Sequence, residues 1–396
     1  MRTEDGRPVR ASIVSEHPLQ PFDIRNFGGS ASDAAEPGYG PEQPVPRKVG
    51  WHGRRLGSDG SPFSFDQASW RGARAAAGQR SAYSPVFGLP ALPELTETET
   101  VEVAELARFF AHPIRALLRE RAGLILREDA LSGSEQIPIS LTGLERWSLG
   151  DRLLRRYLAG LSLEELVAAE WRRGQVPPRA FGSTALGEVA GTVRELAAAA
   201  APHLAASPSR HDISVPLGNS LLVGTVPNVY ETTVVRVNYS VLSAKHRLQS
   251  WIELLALSAS YREREWRAVT IGRGGSSVVP SVDPDRAIEL LNNLIELRRT
   301  GLREPLPFSP KTAAEYARIR ADGKTVELYV KKLEGIWLTE RDPTYERFFG
   351  VRARLADLMR QPAMPGEALN DFSEPSRFGS LARMVFQPLL TAESAR

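Results

Sequence analysis

The 396-residue sequence contains no cysteine. That excludes disulfide scaffolds, zinc-cysteine sites, iron-sulfur ligation and a cysteine nucleophile together. It has no run of 18 apolar residues, and its first ten residues are charged with no apolar stretch behind them, so neither a membrane span nor a secretory signal is read and the expected location is cytoplasmic. It lacks Gly-x-x-x-x-Gly-Lys-Ser/Thr, so it has no loop to cradle a nucleoside triphosphate as an ATP motor does. It also lacks a Gly-x-Ser-x-Gly elbow. Its six histidines never stand as His-x-x-x-His or beside carboxylates at ligand spacing, and His112, just before Pro113 in an apolar stretch, reads as a packed histidine. Lysine is nearly missing: of 50 basic residues 44 are Arg and six Lys. Against 47 acids they leave a formal charge of +3, so any basic surface must be local.

What is present is a globular composition, 42% hydrophobic, large enough for two domains or one large one. Residues 1–94 are rich in breakers, among them Gly28-Gly29, Pro37-Gly38, Pro41, Pro44 and Pro46. Their many apolar residues need a surface to pack on, so the stretch reads as the loop-rich end of a domain whose body lies elsewhere. From residue 95 the pattern becomes regular. Val101 and Val103 alternate as a short strand, and Leu106, Phe109, Phe110, Ile114, Leu117 and Leu118 then follow helical spacing, divided at Pro113. Helices are predicted over 151–159, from a Ser162/Glu165 capping box to Gly174, and over 183–201 with Leu186, Val189, Val193 and Leu196 facing inward. Three β-rich runs follow around Ile213 and Val215, 221–226 and 232–237, with Pro227-Asn228 as the turn between the last two.

A helix over 243–260, a strand over 266–271 ending at the turn Gly272-Arg273-Gly274-Gly275, and a helix opened by Asp283-Pro284 complete an α/β core. Helices near 312–320, 325–334, 345–361 and 378–390 close the chain. The order implies a mixed sheet with helices on both faces. Three arginine clusters stand out on the helices: Arg115 and Arg119 with Arg121; Arg152, Arg155 and Arg156; Arg172 and Arg173. The guanidinium fork matches phosphate, but 108–173 also holds nine carboxylates against 11 arginines, so self-pairing competes.

Along the chain, in order, stand His17-Pro18-Leu19-Gln20-Pro21-Phe22 with Asn26-Phe27, Phe63-Ser64-Phe65-Asp66, Phe109-Phe110-Ala111-His112-Pro113-Ile114-Arg115, Leu141-Thr142-Gly143-Leu144-Glu145-Arg146-Trp147, Ala180-Phe181-Gly182, Leu248-Gln249-Ser250-Trp251, Pro305-Leu306-Pro307 and Pro388-Leu389-Leu390. In that order and spacing they resemble the C-terminal part of the RecC family, the gamma subunits of the bacterial exodeoxyribonuclease V (RecBCD) helicase-nuclease. The resemblance implies a PD-(D/E)xK nuclease-like domain over 95–396 that has lost its metal site, preceded over 1–94 by the remnant of an inactive helicase-like domain. Where an active relative carries Gly-x-Ile-Asp and then Asp-Tyr-Lys, this chain reads Gly224-Thr225-Val226-Pro227 and Asn238-Tyr239-Ser240. Pro227 and Asn238 stand for the two aspartates and Ser240 for the lysine, which leaves Glu188 as the one surviving acid, and one carboxylate does not hold a catalytic Mg²⁺.

The resemblance further implies a truncated subunit without catalytic residues or bound cofactor. It would sit in a heterotrimer with the beta (RecB) and alpha (RecD) subunits, which use ATP and Mg²⁺, and act on DNA ends in double-strand-break repair by recombination. Arg115, Arg119, Arg152, Arg155, Arg156, Arg172 and Arg173 are its DNA-contact candidates. The alternatives are a working nuclease with relocated acids such as Glu188 and Glu231, and a protein-docking domain that touches no DNA.

Overall fold

A computed structural model describes residues 23–27, 66–77, 99–124, 140–350, 352–364 and 374–393. The chain divides into two compact units, Met1–Ser84 and Pro85–Arg396. In the first, a 3₁₀ turn Ile24–Phe27 and an α-helix α1 (Gln67–Ala77) are described. The helix lies within the stretch that the sequence reads as loop-rich. Asp66 caps it by accepting from the Ser69 amide at 2.7 Å, and the guanidinium of Arg74 lies 5.0 Å over the Trp70 ring one turn earlier. The rest of residues 1–94 lies outside the described residues.

The second unit is built on one six-stranded mixed sheet. It opens with β1 (Glu99–Glu102) and α2 (Val103–Ala111), so Val103 begins the helix instead of ending the strand. Proline lacks the amide that would continue the helix, and the chain restarts at Pro113 as α3 (Pro113–Ala122). His112 Nδ1 accepts from the Arg115 amide at 3.2 Å to cap the new start. Next come α4 (Gly143–Leu158), α5 (Leu163–Arg173) and α6 (Arg179–Ala200). The predicted start of α4 at 151 was eight residues late. Thr142 and Glu145 form a full capping box there, and Leu149, Leu153 and Leu154 are its buried stripe.

Strands β2 (Ser209–Leu217), β3 (Ser220–Tyr230) and β4 (Thr233–Val241) form an antiparallel meander. Pro227 and Asn228 are not its turn, as expected, but lie inside β3. Asn228 takes φ +58° where the β2–β3 register shifts, and the reversal itself falls at Glu231, φ +55°. The helix α7 (Ala244–Ser260) then crosses to β5 (Arg267–Arg273), parallel to β4. β6 (Gly275–Val279) returns antiparallel, so the glycine cluster is a β-hairpin turn with Gly274 at φ +86°, not a strand-to-helix turn. β1 pairs with β3 in parallel over Ser220–Val223.

α8 (Pro284–Gly301) is capped by Asp283, which accepts from the Asp285 and Arg286 amides at 3.0 Å. α9 (Pro310–Ala321), α10 (Val330–Glu340), α11 (Pro343–Phe349), α12 (Leu355–Leu358) and α13 (Arg377–Ala392) complete the unit. The helix expected over 345–361 is in fact α11 and α12. It breaks at Gly350, whose φ of +101° no α-helix accommodates.

The sheet has a packed layer on each face. On one, α2, α7 and α8 enclose Leu106, Phe109, Leu254, Leu255, Leu291 and Leu294. On the other, α4, α5 and α6 cover Tyr239, Val269 and Ile271 with Leu153, Val189 and Val193. α7 is buried on nearly every side, which is why even Ser250, Glu253 and Ser258 are enclosed. Ser250 accepts from the Thr270 hydroxyl at 2.6 Å, and Glu253 pairs with Arg236 of β4. No helix among the described residues is long and apolar enough to cross a membrane.

Candidate functional site

The positions that the resemblance assigned to a lost metal site lie on α6, β3 and β4, and a helix reaches onto them. Glu188 sits mid-α6 on the α4 side, where Arg146 donates to its carboxylate at 2.6 Å. The next residue of α4, Trp147, donates its indole N–H to Ser240 Oγ at 2.9 Å. One turn on, Gly150 lies flat against the Tyr239 ring, so close that a β-carbon there would stand 2.2 Å from ring carbons. Consecutive turns of α4 therefore rest on Glu188, Tyr239 and Ser240. Asn238 Nδ2 is buried with no hydrogen-bond partner among the described residues. Pro227 stands on β3, which pairs with β4 only at Val229 and Tyr230.

This set does not fit a catalytic Mg²⁺. The cation needs several hard oxygen ligands, and the one carboxylate present already answers a guanidinium. Among the described residues no three His, Asp or Glu side chains come together as a metal-ligand group. The relocated acid Glu231 does not help. It lies at the turn before β4 while Ser240 lies at the far end of that strand, about 30 Å away at a strand's rise per residue. Arg146 and Trp147, which reasoning from sequence placed only in a motif, are the residues that close this face.

The arginine candidates divide. Arg152 makes a two-pronged pair with buried Glu170 at 3.0 and 2.8 Å, tying α4 to α5, and Arg173 reaches the same carboxylate at 3.3 Å. The Arg152 hydrogen bonds hold the Glu170 carboxyl below its usual range against the opposing effect of burial. Arg155 pairs with Asp151 at 2.6 Å, Arg119 with Glu120 at 2.9 Å and Arg115 with Asp342 at 2.5 Å. Arg156 and Arg172 are exposed and form no ion pair among the described residues. Arg172 stands with Arg194 and Trp171 around a groove of about 590 Å³ between α5 and α6, whose floor is Leu186, Ala190 and Val167.

His112 is structural. Its ring stacks on Tyr345 at 4.6 Å, and its Nε2 meets Asp342 Oδ2 at 3.0 Å, joining α2 and α3 to α11. Burial would raise the Asp342 carboxyl, but the His112 hydrogen bond, the Tyr345 amide and Arg115 outweigh it and hold it well below its usual range.

His246, in the first turn of α7, is shifted the other way. Burial first, then the charges of Lys245 and Arg236, take its imidazole from 6.5 down to about 4. A lowered imidazole keeps the folded state neutral while the unfolded chain protonates, so stability is full above 6.5 and declines as pH falls from 6.5 towards 4. Urea midpoints measured across that window are expected to slope downward towards acid, and His246→Gln is expected to flatten the slope. His211, half-buried beside Tyr261 and Trp266, is lowered in the same sense, chiefly by burial, and adds to the slope.

These features define a helix-flanked mixed-sheet domain whose described residues hold no assembled metal centre. A family model for the RecC C-terminal domain matches residues 98–321, and the chain belongs to the RecC family. It is 34% identical over 389 residues to the RecBCD enzyme subunit RecC of Mycolicibacterium smegmatis, a match that covers 96% of this chain and 33% of that protein. The RecC subunit of Mycobacterium tuberculosis strain H37Rv is likewise 34% identical over 405 residues, covering 98% of the chain and 33% of the relative. That of Escherichia coli K12 is 27% identical over 229 residues, covering 58% and 20%. The chain thus spans about a third of the length of its mycobacterial relatives.

Proposed function

We propose that this chain is a non-catalytic portion of the gamma subunit of exodeoxyribonuclease V. In this reading it binds DNA ends and the partner subunits during double-strand-break repair by homologous recombination. ATP hydrolysis and Mg²⁺-dependent cutting belong to the beta (RecB) and alpha (RecD) subunits of a cytoplasmic heterotrimer, and the chain binds neither cofactor itself. The observation that carries the reading is the α4 contact, Arg146 on Glu188 and Trp147 on Ser240, laid over positions where a nuclease would assemble its metal. Support for nuclease-like descent comes from order along the chain: helix α6 with Glu188, the β2–β3–β4 meander with Pro227, Asn238 and Ser240, then the crossover α7 to parallel β5. Residues 1–94 are assigned by the same resemblance to the end of a helicase-like domain. The relatives' shared name, RecBCD enzyme subunit, supports work in a complex.

Phosphate contacts from side chains without internal partners would position DNA without reading its sequence, and Arg156 and Arg172 are the members of the predicted set that meet this condition. The test is incubation of the chain with end-labelled linear duplex and Mg²⁺: the DNA is expected to stay intact, and cleavage that Glu188→Ala abolishes would overturn the proposal. A second reading, protein docking without DNA contact, is favoured by the apolar α5–α6 groove. It predicts no DNA binding at low salt.

A further inference from the structure

We propose that a groove at the start of α7 binds the phosphodiester backbone of a nucleic-acid strand; this rests on the reading of the chain as a DNA-handling subunit and assigns the surface. The groove, of about 710 Å³, runs from Ser240 along the first turn of α7 and is walled on the other side by α9 and α10. The chain owns six lysines, and three of them, Lys245, Lys311 and Lys332, meet here from three different helices. Arg247 and Arg318 add two more cations, and Glu315 is the one carboxylate among the described lining residues.

Which of these charges are available follows from the internal pairs. Glu315 takes Lys332 and Arg318, each at 2.7 Å, and Arg318 also reaches Asp322 at 2.9 Å. Arg247 is held by Glu393. Lys245 and Lys311 are exposed and form no ion pair among the described residues. An ammonium on a flexible stem suits a backbone phosphate, which asks for charge and not for a fixed planar fork.

The two helix starts beside the groove differ in a way that agrees. At α9 the carboxylate of Glu340 already accepts from the Lys311 and Thr312 amides, each at 2.8 Å, so the chain supplies its own anion. At the 17-residue α7 the N-cap Ser243 gives no side-chain cap, because its hydroxyl meets His246 Nδ1 at 3.1 Å instead. The partial positive charge of that helix start is left facing the groove beside Lys245. An acidic protein segment would meet the same cations, but a helix start without a side-chain cap beside two exposed ammoniums favours phosphate oxygens.

The test is a titration of labelled duplex and single-stranded oligonucleotides across a salt series, with the unmodified chain, K245Q/K311Q and R156Q/R172Q. Loss of two phosphate contacts is expected to make the duplex salt slope shallower by about 1.8, which is about 60-fold weaker binding at about 0.1 M salt relative to about 1 M. The arm showing the larger loss, duplex or single strand, identifies which strand form lies in the groove. Lys245→Glu is the second variant: an acid at the start of α7 favours the helix, so the fold holds while the site is closed. If the unmodified chain binds DNA and both lysine variants keep its slope, the groove proposal fails and the DNA-handling reading stands. If the unmodified chain binds no DNA, both fail. Loss of polyglutamate binding with DNA binding intact would give the groove to an acidic protein and overturn the proposal.

Discussion

Gly150→Val is expected to lower the stability of the α4–α6 layer by about 3 kcal/mol, at the upper end of what overpacking costs. A glycine in mid-helix is itself unfavourable, and alanine there would gain about 1 kcal/mol from helix propensity alone. Packing reverses that sign. The ring of Tyr239 is buried between α4 and the sheet, with the Arg273 guanidinium 5.5 Å from its centroid, and a new β-carbon would lie 2.2 Å from it. Either the ring turns out or α4 lifts, and lifting α4 also breaks the Trp147–Ser240 bond and the Arg146–Glu188 pair. Urea denaturation reads the loss. In a double-mutant cycle, Gly150→Val is expected to cost far less in a Tyr239→Ala background. Equal costs in both backgrounds would show that α4 does not rest on Tyr239.

Phe109→Ala should cost about 3–5 kcal/mol, the range for removing a fully buried phenylalanine, and lower the melting temperature by roughly 5–8 °C. Phe109 is wholly buried and meets Phe110 edge-to-face at 5.0 Å. It also presses on α8 at Gly301, where a β-carbon would come within 2.4 Å of its ring. The cavity would open between α2 and α8, beside Leu306. A thermal melt that moved by only a degree or two would mean that this face of α2 is not core.

The architecture was legible because it rests on local signals. Leu186, Val189, Val193 and Leu196 are buried as their spacing required, Pro113 divides its helix, and Asp283-Pro284 opens α8. The errors came where one local signal had two meanings. Pro227-Asn228 has turn chemistry, yet a proline inside β3 costs little at a bulge, and the real reversal uses Glu231, whose side chain gives no turn signal. The late start assigned to α4 came from following apolar spacing alone, although Thr142 and Glu145 stood at capping distance.

The site was less legible, because its contacts are long-range. Nothing within the sequence joins Trp147 to Ser240 or Arg146 to Glu188, 93 and 42 residues apart. Self-pairing of the arginines was foreseeable in sum but not by residue: Arg152 looks like Arg156 until Glu170 is brought up from α5. Lys245, Lys311 and Lys332 carry no motif at all and meet only through the packing of α7, α9 and α10. Among the described residues, several of the motifs behind the resemblance are packing devices. Phe109, Phe110, Trp251 and Leu306 fill the core, and Gly182 admits the Pro177 carbonyl where no β-carbon would fit.

The most direct test of a subunit that handles DNA ends without cutting them is fluorescence anisotropy of a labelled forked duplex, titrated with the chain in Mg²⁺ at several salt concentrations and followed over time. The expected result is saturable binding whose logarithm falls linearly with the logarithm of salt, at a slope of about −0.9 per phosphate contacted, with a signal that stays constant. Anisotropy that rises and then decays as the labelled strand is shortened, or no binding at low salt by a folded chain, would contradict it.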